Sequence, residues 1–135
     1  MKKIITILAL CLLCAVCFAQ EQKSEKEREK EFYEAIEKQI ERLTTLLDLE
    51  DWQIFYVDSI FTHDYTALQE EYKVLAQSKV SNSDIYIDIQ DKWTEQVYNS
   101  LHKVFNEDQW NKYLKSGAGK EKRARDKRAA KKNAK

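Results

Sequence analysis

The chain of 135 residues has no proline, and its only glycines are Gly117 and Gly119. Hairpins and tight turns draw on those residues. Their scarcity excludes a β-rich fold and leaves an all-α one built from helix-forming residues. The three cysteines, Cys11, Cys14 and Cys17, lie in one apolar run near the start, and the single methionine is Met1. Once that run is removed, no thiol remains for a disulfide, a metal or nucleophilic attack. His63 and His102 are the only histidines, too few ligands for a transition-metal site without Cys or Met. The expected metal ligands, cofactors and catalytic residues are therefore none. Phosphate-binding glycine loops, Ser or Cys nucleophile motifs and H-E-x-x-H are all missing, which points to binding rather than a reaction.

What is present begins with an export signal. Lys2 and Lys3 precede an uncharged apolar run from Ile4 to Phe18, and Cys17-Phe18-Ala19 fits a small-x-small cleavage pattern. The run is shorter than the ~20 residues that cross a bilayer as a helix. A lipid-modified cysteine needs a small residue just before it, but Leu10, Leu13 and Val16 stand there. The reading is a cleaved signal peptide over 1–19, a helical domain over 20–116 and a basic tail over 117–135. The zero net charge conceals this division: 20–116 carries nine more acids than bases, and 117–135 seven more bases than acids.

Hydrophobic periodicity predicts four helices. Phe32, Ile36, Ile40, Leu43 and Leu47 mark one over 24–46, led in by a solvated run of alternating charge. A second covers 50–77. At ~100° per residue, Ile54, Val57, Phe61, Tyr65, Leu68, Tyr72 and Leu75 line its core face. Leu49, Trp52, Tyr56 and Ile60 fall roughly opposite, and are the candidate partner- or client-binding residues, because Trp and Tyr are enriched at interfaces. Ser81-Asn82-Ser83-Asp84 reads as a capping box with Ser81 as cap. Ile85-Tyr86-Ile87-Asp88-Ile89 alternates like a strand, yet Ile85, Ile89, Trp93, Val97, Leu101 and Phe105 continue in steps of four, which predicts a third helix over 84–104. A short fourth follows over 107–115, ended by Gly117 and Gly119. The tail beyond is expected to be disordered or transiently helical.

Three constellations stand out. Leu49-Glu50-Asp51-Trp52-Gln53 and Phe105-Asn106-Glu107-Asp108-Gln109 both read apolar–cap–acid–x–Gln. In each, the apolar residue can staple onto the first turn while cap and acids serve bare N–H groups. Asp84, Asp88, Asp91 and Glu95 form an acidic ridge opposite the Ile85–Trp93–Leu101 stripe. It is either a solvated helix face or a dock for a basic client or for the chain's own tail. The tail is a candidate for an anionic membrane surface or an acidic neighbour, whereas export argues against nucleic acid.

The two Gln-terminated segments resemble the paired LTxxQ motifs of the Spy/CpxP family of periplasmic helical proteins. Leu47 to Gln53 matches the first copy, with Glu50 where the family has threonine. Tyr98 to Gln109 matches the second, with Phe105 for leucine and Asn106 for threonine. The motif residues are thus Leu49, Gln53, Phe105, Asn106 and Gln109. The resemblance implies a periplasmic, extended and bent helical hairpin that pairs into a cradle-like homodimer. It further implies ATP-independent, chaperone-like binding of unfolded or partly folded envelope proteins. Alternatives are docking on an envelope-stress sensor domain or a metal-responsive role. The acidic body departs from the basic cradle of the family's chaperones.

Overall fold

The structure, a computed structural model, describes residues 23–134; the signal-peptide reading over 1–19 lies outside the described residues. Of the described residues, those up to Phe32 belong to one compact unit and those from Tyr33 onward to another. In the first, a reciprocal cap starts a helix. Ser24 N–H donates to Glu27 Oε2 at 2.9 Å, and Glu27 N–H donates back to Ser24 Oγ at 3.2 Å. Lys23 pairs with Glu31 at 2.6 Å on an exposed surface.

That helix is α1, Glu25–Leu47, and four more α-helices follow among the described residues: α2 Asp51–Gln77, α3 Ser83–Val104, α4 Glu107–Tyr113 and α5 Gly119–Asn133. No strand occurs among the described residues, so Ile85–Ile89 is helical. Asn82, rather than the expected Ser81, caps α3. Its Oδ1 accepts from Asp84 N–H at 2.9 Å.

Helices α1 and α2 both end without glycine in the left-handed position. Asp48 (φ 51) follows α1 and Lys79 (φ 55) follows α2. Leu49 N–H then reaches Thr44 O at 3.2 Å, and Val80 N–H reaches Leu75 O at 3.1 Å. This is the Schellman closure, which satisfies carbonyls that a helix end would leave bare.

The core follows the apolar period. Val57, Phe61, Val97, Leu101 and Phe105 are buried, joined by Ile36, Leu43, Leu47 and Leu49. α2 and α3 run antiparallel as a hairpin. Polar side chains bridge its edges: Gln96 donates to Asp64 at 2.9 Å, and Trp93 Nε1 donates to Glu71 at 3.1 Å. Tyr72 OH donates to Tyr86 O at 3.3 Å. Burial is deepest at the end carrying the two Gln-terminated segments. Toward the α2–α3 turn, Val74, Ile85 and Ile87 are exposed.

At the tail the structure is more regular than the sequence suggests. Glycines do not end the chain's order after α4. A five-residue π-type turn, Leu114–Ala118, leads directly into α5, with only Gly117 leaving helical geometry at φ 124. The segment expected to be disordered or transiently helical is a 15-residue helix. Taken alone it has no apolar face to bury; it is held by charge, as described next.

Candidate interaction surface

The two motif segments build one junction. Glu50 and Asn106, the residues before α2 and α4, are both extended (φ −74, ψ 157 and φ −72, ψ 173). Each turns the following helix so that its third residue, Gln53 or Gln109, points inward. Gln53 Nε2 donates to Gln109 Oε1 at 2.7 Å, and Gln109 Nε2 donates to Gln53 Oε1 at 3.0 Å. Each oxygen also accepts from its own cap: Glu50 N–H and Asn106 N–H, both at 3.0 Å. Each nitrogen donates its second proton to the end of a preceding helix, Gln53 to Val104 O at 3.0 Å and Gln109 to Leu47 O at 3.2 Å. Both amides are buried, and both use two donors and two acceptor positions, the complete capacity of the group. The junction ties α1, α2, α3 and α4 at one point. Its chemistry is structural: the two facing amides are neutral and have no donor or acceptor left with which to act on a ligand.

Leu49 belongs to this junction and not to a partner surface. It is 7% exposed, which corrects its assignment to the outward face. The other three residues of that face separate. Trp52 and Tyr56 are each 51% exposed, whereas Ile60 is half-buried. Sequence reading missed Phe55, at 68% the most exposed large apolar side chain of the helix. It falls between the two stripes of the wheel, and only adjacency to Trp52 and Tyr56 could have flagged it. The three rings brace one another edge to face, Trp52–Tyr56 at 6.2 Å and Phe55–Tyr56 at 5.7 Å between centroids. Beside them, α1 and α2 flank an open cleft of about 730 Å³. Ile36, Ile40, Ile54 and Phe55 floor it; Glu37, Glu41 and Asp58 give it an acidic rim.

The acidic ridge has an occupant. Arg128 grips Asp91 with Nε and Nη2, both at 2.6 Å; Arg125 Nε meets Glu95 at 3.2 Å and Lys122 meets it at 3.1 Å. Lys132 pairs with Asp88. α5 therefore lies antiparallel on α3, Lys132 nearest the α3 start. Asp84 has no ion pair among the described residues. Most of these pairs are part-exposed and individually weak. Arg125 differs: it is 7% exposed, lies over the Tyr98 ring at 5.5 Å and leaves Nη2 buried without a hydrogen-bond partner. Asp91 raises the Arg128 pKa by accepting its hydrogen bonds. Burial raises Tyr65, and pushes Tyr113 up to about 12 beside Tyr65 and Glu121. Of the two occupants the sequence offers for the ridge, the chain's own tail is the one observed: Lys122, Arg125, Arg128 and Lys132 recur in helical steps of three and four, as the ridge acids do, and meet Glu95, Asp91 and Asp88.

His102 stacks on Trp110 at 4.2 Å, and His63 Nδ1 lies 2.8 Å from Asp64 Oδ1. Among the described residues, no three His, Cys, Asp or Glu side chains converge as a metal site would require. None of the described helices is long and apolar enough to cross a membrane. No protein-family model, no curated protein and no solved structure matches the chain.

Proposed function

We propose that the chain is an exported, non-enzymatic binding protein of the Spy/CpxP kind, which holds unfolded or partly folded envelope proteins without nucleotide. The observation that carries this reading is the braced aromatic face of Trp52, Phe55 and Tyr56 beside an open apolar cleft. Large exposed aromatic and aliphatic surface that a chain leaves uncovered is where a partner binds. The pairing of two LTxxQ-like segments through Gln53 and Gln109 supports the family reading, because it gives both degenerate motifs one shared physical task. The acidic rim of Glu37, Glu41 and Asp58 selects neutral or basic client segments over acidic ones. A second copy, meeting the same face in a homodimer, competes with the client for it.

The test is suppression of aggregation. The protein beginning at Gln20 should keep a thermally unfolding basic client soluble near equimolar ratio. The variant Trp52→Ser/Phe55→Ser/Tyr56→Ser should lose that effect with its helical circular dichroism unchanged. Absence of suppression against several clients of differing charge sinks the reading. Docking on a sensor domain is the second reading, and with α5 seated on the ridge that acidic surface is not open to such a partner.

A further inference from the structure

The bases of α5 divide into two sets on nearly opposite sides of the helix. Lys122, Arg125, Arg128 and Lys132 face α3 and are paired with its acids. Lys120, Arg123, Lys127 and Lys131 recur at intervals of three, four and four, are all exposed, and make no ion pair among the described residues. At ~1.5 Å per residue, they form a straight row of roughly 16 Å along one side. The two acids of the helix, Glu121 and Asp126, lie off that side, and Asp126 is engaged by Lys122. Because the four inward bases are paired with three ridge acids and Asp126, the outward row is left as uncompensated positive charge on α5.

We propose that this row is a docking surface for the anionic headgroups of a lipid bilayer. The row has no aromatic or long aliphatic anchor; Ala130 and Ala134 are its apolar neighbours. Protein interfaces concentrate their energy in desolvated aromatic, Arg and aliphatic anchors set in pockets, which three exposed lysines and one exposed arginine along a straight helix do not supply. A plane of mobile anionic headgroups needs none of these and attracts each base near it. Nucleic acid shares the charge but not the compartment that the export signal implies. The proposal rests on the export part of the reading above and is independent of client binding. The row contacts the bilayer without inserting, and the ion pairs on the inward side keep the helix flat against α3 while it does so.

The test is co-sedimentation of the protein beginning at Gln20 with vesicles of phosphatidylcholine alone or with phosphatidylglycerol added. Binding should appear only with the anionic lipid. It should fall about fivefold for each outward base replaced, reaching baseline in Lys120→Gln/Arg123→Gln/Lys127→Gln/Lys131→Gln. It should also vanish in about 0.5 M NaCl, where screening is short-ranged. The thermal midpoint of that variant should match the parent, since none of the four touches the ridge; aggregation suppression is scored separately. Equal binding to both vesicle types, or undiminished binding by the fourfold variant, overturns the proposal. Tighter binding to duplex DNA or polyglutamate than to the anionic vesicles overturns the lipid assignment.

Discussion

Gln53 and Gln109, 56 positions apart, hydrogen-bond each other twice, each amide both giving and receiving. The pair holds together helix starts that otherwise share only a resemblance in sequence.

Replacing either glutamine with alanine should cost about 2–4 kcal/mol, because each removal strands a buried carbonyl, a cap N–H and the opposite amide. The double replacement should cost well under the sum, since the partner is already lost. Urea denaturation of the three variants measures both quantities. Full additivity would show that the pair does not exist in solution.

The left-handed residues after α1 and α2 predict gains of different size for glycine. Lys79→Gly should stabilise by about 0.5–1 kcal/mol by relieving a side chain at φ 55. Asp48→Gly should gain less, as Asp tolerates that region better. Gly117→Ala, at φ 124 with open space around it, should destabilise by about 1 kcal/mol through backbone strain alone. Thermal midpoints of the three variants read these signs.

Alkaline sensitivity should come from buried tyrosines. The phenol of Tyr113 is held at about 12 in the folded chain, against 10.0 ordinarily, chiefly by burial. A raised acid stabilises the fold while it stays neutral. The contribution is therefore complete below pH 10 and lost as pH rises from 10 toward 12, at a cost on the order of 2 kcal/mol. Tyr113→Phe should flatten that part of the stability profile. Denaturant midpoints followed from neutral to alkaline pH provide the check.

Arg125 should matter far more than its neighbours for holding α5. Arg125→Ala should cost about 1–3 kcal/mol, since it removes a buried stem as well as a pair. Lys132→Gln, at an exposed pair, should cost about 0.5 kcal/mol or less. Amide hydrogen exchange across 119–133 separates the two: protection collapses in the first and persists in the second.

The helical period exposed α1 to α3 and α4 to within a residue or two, because each has an apolar face whose spacing is visible without tertiary knowledge. Leu49 was misplaced for a geometric reason. The wheel of α2 does not reach back through Glu50, whose backbone is extended at ψ 157; beyond that cap the angular phase has no meaning. The order of α5 is not legible in the tail alone, because its stabilising partner is another segment. The tail has no apolar period that announces contact; only opposite charge at helical spacing connects it with the ridge, which is why the docking stands in the sequence as one alternative of two. The glutamines were readable as paired helix starts, while their mutual bonding was not, since nothing local says that two corners 56 positions apart will meet.

Neither corner is complete by itself. Gln53 finishes the carbonyl end of α3, and Gln109 finishes that of α1, so a chain that has formed only one of them leaves its amide to water and cannot bury it without loss. Closing the loop between them costs chain entropy before either is repaid. The junction thus couples early and late parts of the chain into a single cooperative event: the α1–α2 corner and the α3–α4 corner form together and come apart together.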